Sequence, residues 1–191
     1  YRRDIDGLRA LAVSAVVVFH AAPKYLSGGF VGVDIFFVIS GFLITSLLAF
    51  EIEAGSFRIA RFYARRVKRI FPALGLVLLV ALGAGWYFLL ADEYAELGKH
   101  VAGGAGFVSN LLLWSEADYF DTASVAKPLL HLWSLGIEEQ FYILWPIMLW
   151  GAHALGMRSL ALVGSVIAIS FTASLLILPS NATAAFYSPL T

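Results

Sequence analysis

The stretch from residue 70 to residue 91 reads IFPALGLVLLVALGAGWYFLLA and contains no charged side chain. About 20 mostly apolar residues in helical conformation are enough to cross the hydrocarbon core of a bilayer. The sequence therefore predicts a membrane-spanning helix here, and the rest of the chain can be compared with this segment.

The composition of the whole chain also indicates that it lies in a membrane. Of its 191 residues, 60% are hydrophobic and only 14% are charged, and the mean hydropathy is +0.83. A soluble domain carries roughly a quarter charged residues, so lipid is expected to surround this chain. It contains no cysteine, which excludes disulfides and thiolate sites. Its four histidines form no His-Glu-x-x-His pattern, and neither a metal nor a nucleic-acid partner is expected.

Six apolar stretches are candidate spans, at residues 8–22, 30–50, 70–91, 97–114, 129–150 and 160–178. Residues 1–191 are therefore expected to form one all-α, polytopic transmembrane helical bundle. A cleavable secretory signal that starts at Arg2 and Arg3 is disfavoured, because His20 lies in its apolar run and a second apolar run follows after a short turn. That pattern predicts a helical hairpin.

A basic segment between the second and third spans predicts the orientation. Six basic residues fall within twelve positions: Arg58, Arg61, Arg65, Arg66, Lys68 and Arg69. Short loops rich in Lys and Arg stay in the cytoplasm, so simple alternation places residues 92–96 outside and the acidic loop at 115–128 inside. Apolar residues at helical spacing also predict an interfacial helix over residues 58–70, just before the third span begins near Pro72.

Two ionisable residues in the first span are candidates for function. Arg9 and His20 are eleven positions apart, which is about 16 Å and about three turns of a helix. Both side chains are therefore expected on one face. Ionisable groups within spans are functional candidates by default, and a histidine can act as a general base near neutral pH. The alternative is that His20 packs against another helix and hydrogen-bonds a carbonyl group.

A second group of polar residues lies at the start of the fifth span. His131 and Glu138 are seven positions apart, so both are expected on one helix face, where a carboxylate can orient an imidazole or relay a proton. Tyr142 follows one turn later, and Glu139 is expected to face water. The alternative for this group is a structural polar network that ties helices together.

The arginines of the basic segment have two interpretations. A guanidinium group binds phosphate with a planar pair of donors, so Arg66 and Arg69 could hold a nucleotide-bearing donor. Attraction of the same charges to anionic lipid is the competing explanation.

The second span contributes further candidates. Gly28 and Gly32 are expected to allow close helix contact, and Asp34 is a candidate outer-side partner for the candidate base His20. Ser40 is a candidate nucleophile, but no Gly-x-Ser-x-Gly sequence surrounds it, which favours a packing or hydrogen-bonding role.

Four motifs occur together and in order along residues 4–146. They are Asp6-Gly-Leu-Arg9 with His20 following; Gly32-Val-Asp-Ile-Phe-Phe-Val-Ile-Ser-Gly-Phe42; Phe62-Tyr-Ala-Arg-Arg-Val-Lys-Arg-Ile-Phe-Pro72; and His131-Leu-Trp-Ser-Leu-Gly-Ile-Glu-Glu-Gln-Phe-Tyr142. In this combination the chain resembles the acyltransferase-3 family of membrane O-acyltransferases. The resemblance, and not the composition or spacing, supplies the acyl chemistry.

The resemblance implies transfer of an acyl group, usually acetyl from acetyl-CoA, to a hydroxyl of an extracytoplasmic glycan. It implies a multi-pass protein of the bacterial cytoplasmic membrane with no permanently bound cofactor, in contact with membrane lipids. Such a domain has roughly ten spans, so the 191 residues are expected to be its N-terminal portion. Carried over by position, His20 would be the base and Glu138 its orienting partner, while Arg9, Arg66 and Arg69 would hold the donor phosphates.

Two other classes of protein remain open at this stage. A transporter would use the buried histidine, glutamate and arginines as a proton or anion pathway, although no repeated half is visible in the sequence. A non-catalytic membrane anchor would tolerate removal of the charges at His20 and Glu138.

Overall fold

The computed structural model describes residues 3–116, 127 and 129–189, and all regular structure in this part of the chain is helical. Eight α-helices are described: α1 (Arg3–Ala21), α2 (Gly32–Glu53), α3 (Ile59–Phe88), α4 (Ala91–Ala105), α5 (Ser109–Glu116), α6 (Leu132–Ala154), α7 (Ser159–Ile177) and α8 (Ala182–Tyr187). They belong to two compact units, Tyr1–Phe57 and Arg58–Thr191. Arg2 and most of the acidic loop predicted at 115–128 lie outside the described residues.

The predicted all-α membrane class is confirmed. Within the described ranges, three helical segments are long and apolar enough to cross a membrane: Gly29–Glu53, Ile59–Phe88 and Ser159–Ile177. The predicted spans at 8–22 and 129–150 are single helices, α1 and α6, which carry charged side chains near their N-terminal ends. The predicted span at 97–114 is wrong as one helix, because α4 ends at Ala105 and α5 starts anew at Ser109.

The first unit is a helical hairpin closed by two glycines. A β-carbon on Gly29 would overlap the carbonyl oxygen of Ala15, and one on Gly32 would overlap the carbonyl oxygen of Ala12. The absence of side chains at these two positions lets the start of α2 lie directly against the backbone of α1. The prediction for Gly32 is confirmed. The prediction for Gly28 is wrong, because a β-carbon there would meet open space.

In the second unit, α3 is longer than the predicted third span. The predicted interfacial helix over residues 58–70 is continuous with that span, so the basic segment is the first part of α3. Pro72 lies inside the helix, where its missing N–H removes one hydrogen bond to the preceding turn. The basic side chains are therefore attached rigidly to a membrane-spanning helix.

Helices α4 and α5 form a return hairpin beside α3. Gly85 of α3 faces Leu97 of α4, and Gly104 at the other end of α4 faces Leu78 of α3, so α4 runs antiparallel to α3. The chain then reverses at Phe107, which has a positive φ of 56°. Along α5 the chain runs back beside α4, until Glu116 meets His100 at 3.3 Å.

This return shows that the predicted fourth span is not a simple crossing. Glu116 lies beside His100, past the middle of α4, so α5 runs back along only part of that helix. Simple alternation places the loop at 115–128 inside, and that placement stays a prediction, because most of the loop lies outside the described residues. Simple alternation assumes that every apolar stretch crosses the bilayer completely. Helix α5 has only eight residues, so it is about 12 Å long and is too short to cross a hydrocarbon core of about 30 Å.

Helix α6 is antiparallel to α3, and an amide network fixes it to α5. The Gln140 side-chain amide donates to the Phe107 carbonyl and to Asn110 Oδ1, each at 2.8 Å. Asn110 Nδ2 in turn donates to the Tyr187 carbonyl of α8 at 3.0 Å. Because Asn110 is fully buried, its amide must be satisfied within the protein, and these bonds join α5, α6 and α8.

Candidate functional site

His20 lies in the last turn of α1, and its imidazole contacts the helix backbone. Nδ1 is 2.8 Å from the carbonyl oxygen of Val16. A carbonyl oxygen only accepts, so Nδ1 carries the hydrogen, and in the neutral ring the basic lone pair is on Nε2. The ring also makes an edge contact with Phe19 at 5.1 Å between centroids. The carbonyl bond foreseen as a structural alternative is therefore present, and it also defines the tautomer that a base would use.

Arg9 lies on the same helix, toward its other end. Its guanidinium is 4.9 Å from the centroid of the Phe36 ring on α2, within the range of a cation–π contact. Helix α1 is continuous from Arg9 to His20, so the eleven-residue spacing places the two side chains within about 20° of each other around the helix axis. The predicted shared face is therefore compatible with the observed helix.

The two other candidates of the first unit lie on α2. Asp34 is exposed in the first turn of that helix, where a negative charge is stabilised by the unpaired N–H groups. Ser40 is only 5% exposed, which suits a packing or hydrogen-bonding role more than a nucleophile that must meet substrate. Their predicted roles in the reaction stay predictions.

In the second unit, Arg66 of α3 forms an ion pair with Glu139 of α6. Nη2 of Arg66 is 2.8 Å from Oε1 of Glu139, and Nε is 3.4 Å from Oε2. The two side chains are 16% and 7% exposed. The expectation that Glu139 faces water is therefore wrong, because a carboxylate buried this deeply requires a charged or hydrogen-bonding partner.

Tyr142 extends this ion pair to a second carboxylate. The Arg66 guanidinium carbon lies 3.3 Å from the centroid of the Tyr142 ring, and the ring itself is buried. The Tyr142 hydroxyl donates to Oε1 of Glu138 one turn earlier on α6. Glu139, Arg66, Tyr142 and Glu138 thus form one connected group, which we call the α3–α6 cluster.

The two remaining predicted residues of the second unit have exposed side chains. Arg69 is exposed one turn beyond Arg66 on α3, and His131 is exposed at the N-cap of α6. Glu138 and His20 belong to different units, and their predicted pairing stays a prediction. Over the described residues, no group of three or more His, Cys, Asp or Glu side chains is placed to hold a metal ion.

Sequence reasoning missed Glu139 and the amide pair Asn110–Gln140. The available signal was the run Glu138-Glu139-Gln140 inside an otherwise apolar helix, because each of three consecutive polar residues on a helix faces a different direction and at least one must face the interior. The partner on another helix could not be chosen from the run alone.

Comparison with known proteins assigns the class. Residues 2–190 match the family described as the acyltransferase domain. Because the match covers nearly the whole chain, this chain belongs to that acyltransferase family.

Individual relatives agree with the family. Peptidoglycan O-acetyltransferase OatA of Listeria monocytogenes is 41% identical over 155 residues, which cover 78% of this chain and 24% of the relative. O-acetyltransferase OatA of Staphylococcus aureus is 41% identical over 151 residues, or 78% of this chain and 25% of the relative. A third relative, from Staphylococcus aureus strain MSSA476, carries only a provisional O-acetyltransferase name. It is 43% identical over 151 residues, which cover 78% of this chain and 25% of the relative.

The chain spans about a quarter of the length of the curated relatives it matches. No solved structure matches it.

Proposed function

We propose that the protein to which this chain belongs is a membrane O-acetyltransferase that transfers acetyl from acetyl-CoA to a hydroxyl of a cell-envelope glycan. The family match across residues 2–190 carries the proposal. Peptidoglycan is the favoured acceptor, because it is the one that the name of the Listeria relative specifies. The membrane-spanning helices and the bacterial relatives support a location in the bacterial cytoplasmic membrane.

His20 is the proposed general base. Its Nδ1–H is held by the Val16 carbonyl, which orients the ring and leaves the basic lone pair on Nε2. As Nε2 takes the proton of the sugar hydroxyl, the sugar oxygen bonds to the acetyl carbonyl carbon and the carbon–sulfur bond breaks. The departing CoA thiolate then takes the proton from the imidazolium, so the products are the acetyl ester and free CoA.

Arg69 is the proposed contact for the donor phosphates in the second unit. Its guanidinium is exposed, and a planar guanidinium forms two parallel hydrogen bonds with phosphate oxygens. Arg9 is the corresponding proposal in the first unit, where Phe36 holds its guanidinium from one face. Acetyl-CoA enters as a co-substrate and is released as CoA in each turnover.

Replacement of His20 tests the base assignment. The full-length protein is produced in cells that lack their own glycan O-acetyltransferase, and acetate released from the cell wall by mild base is measured. We expect His20→Ala to reduce ester formation by roughly 100-fold or more, the usual contribution of a general base. The control is His153→Ala, which removes an exposed histidine from the last turn of α6. A normal ester content in His20→Ala cells would overturn the assignment.

A second measurement tests the donor and the route. In proteoliposomes with labelled acetyl-CoA, Arg69→Ala is expected to raise the KM for acetyl-CoA, while Arg61→Ala, another exposed arginine of α3, is the matched control. Transfer without any labelled protein intermediate supports direct attack. Label trapped on the protein before acceptor is added would replace the direct route with a two-step route.

A further inference from the structure

Arg66 differs from the other arginines of the basic segment in what it already contacts. Its side chain is 16% exposed, whereas Arg58, Arg61, Arg65 and Arg69 are exposed. It is the residue of this segment that pairs with Glu139 and lies over the Tyr142 ring. A role shared equally by all the arginines, such as attraction to anionic lipid, does not account for this arrangement.

We propose, on the basis of the function proposed above, that Arg66 is a positioning residue that holds the Glu138 carboxylate in place through Tyr142, and that it is not a ligand of the donor phosphates. Glu139 and Tyr142 are positioning residues of the same cluster. Of the two α3 arginines expected to hold the donor phosphates, Arg69 is then the one that remains.

The first argument is that the Arg66 guanidinium is already in contact with Glu139 and Tyr142. Glu139 accepts from Nη2 and Nε of Arg66, at 2.8 and 3.4 Å, so one edge of the group is occupied and its positive charge is balanced. The Tyr142 ring covers one flat face at 3.3 Å from the guanidinium carbon. A phosphate that bound Arg66 would have to share it with Glu139, and the negative charge of that carboxylate would repel the incoming phosphate.

The second argument is that the contacts of Arg66 extend through Tyr142 to Glu138. Tyr142 is buried, and its ring is held between α6 and the Arg66 guanidinium. A side chain fixed in this way has little rotational freedom left, so its hydroxyl points steadily at Oε1 of Glu138. The Glu138 carboxylate is thereby held in one orientation by a residue of its own helix, and that residue is held in turn by α3.

The third argument is that α3 and α6 meet here through side chains. Besides the ion pair, the Tyr63 hydroxyl of α3 donates to the Ile143 carbonyl at 2.6 Å. Two contacts on successive turns fix both the distance and the rotation of α6 relative to α3. Glu138 directly precedes Glu139 on α6, so its position relative to α3 is fixed by the same contacts.

Kinetic constants of the full-length enzyme separate positioning from donor binding. In proteoliposomes with labelled acetyl-CoA, we expect Tyr142→Phe to lower kcat by roughly 10- to 100-fold, the range for loss of one hydrogen bond to a charged group, and to leave the KM for acetyl-CoA unchanged. The phenylalanine ring still lies beneath Arg66, so the ion pair remains. Arg66→Lys is expected to give the same pattern, since lysine keeps the charge but loses the planar stacking and the paired donors.

Arg69→Ala is the comparison within the same helix, because it is expected to raise the KM. An Arg66→Lys enzyme whose KM rises as in Arg69→Ala, with kcat unchanged, would overturn the inference. So would an unchanged kcat in Tyr142→Phe, and this variant decides alone if Arg66→Lys does not accumulate as folded protein. Absence of acetyl transfer by the unmodified enzyme would instead reject the proposed function, so the two failures are distinguishable.

Discussion

The close approach of α1 and α2 makes Gly32→Ala the most informative stability variant. Gly32 has φ −56° and ψ −28°, an ordinary helical conformation that alanine adopts without strain. Any loss of stability in Gly32→Ala must therefore come from steric overlap of the new methyl group with its neighbours. The new methyl group would overlap the carbonyl oxygen of Ala12 and lie 2.8 Å from Cγ2 of Val16, and the backbone oxygen cannot move unless α1 itself moves.

Gly41→Ala is the matched control on the same helix. A β-carbon at Gly41 meets nothing within 4 Å, so there the substitution only removes glycine's excess conformational freedom in the unfolded chain. That gain is about 0.5–1 kcal/mol, whereas insertion of a methyl group into a well-packed contact costs about 1–3 kcal/mol. Gly32→Ala shares that gain, because Gly32 also has an ordinary helical conformation. The free energies of unfolding of the two variants are therefore expected to differ by the packing cost alone, about 1–3 kcal/mol, with Gly32→Ala the less stable.

The measurement is thermal unfolding of the full-length protein in detergent, monitored by tryptophan fluorescence. The unfolding midpoints of the two variants and of the unmodified protein are compared. We expect Gly41→Ala at or above the unmodified protein and Gly32→Ala clearly below it. Because Val16 both faces Gly32 and accepts the His20 hydrogen bond, Gly32→Ala should also reduce acetyl transfer. Equal midpoints for the two alanine variants would show that α1 and α2 do not pack at Gly32 as described.

Two further predictions concern the second unit. Asn110→Leu should lower the free energy of unfolding by about 1–3 kcal/mol, because it removes the hydrogen bonds of a fully buried amide to the Tyr187 carbonyl and to Gln140. Leu111→Ala, on the exposed side of α5, is the control in the same unfolding assay, and equal midpoints would contradict the network. Glu116→Gln should lower the midpoint of thermal unfolding, because Oε2 of Glu116 lies 2.9 Å from the Lys127 amine and 3.3 Å from Nε2 of His100 and a neutral amide holds a cation less strongly. Glu53→Gln, which removes an exposed carboxylate from α2, is the control, and an unchanged midpoint in Glu116→Gln would refute the stabilising role of Glu116.

The class of the protein and the position of its principal helices could be predicted from the amino-acid sequence alone. Hydropathy and helical spacing are properties of one segment, so the uncharged run at residues 70–91 predicts a span whatever surrounds it. The spacing of Arg9 and His20 places them on one face for the same reason, and the motif order carried the resemblance to the acyltransferase-3 family. These parts of the prediction needed no knowledge of neighbouring helices.

Which polar groups meet depends on how the helices pack, and this could not be predicted from the sequence. Glu138 and Glu139 are adjacent in sequence and chemically identical, yet one accepts from Tyr142 on its own helix and the other pairs with Arg66 on α3. Likewise Gly29, and not Gly28, lies against α1, and residues 97–114 turn back at Phe107 although they are apolar enough to suggest a crossing. In each case the outcome depends on the rotation and depth of one helix relative to another. A buried charge or a close backbone contact is stable only beside the particular partner that the fold supplies.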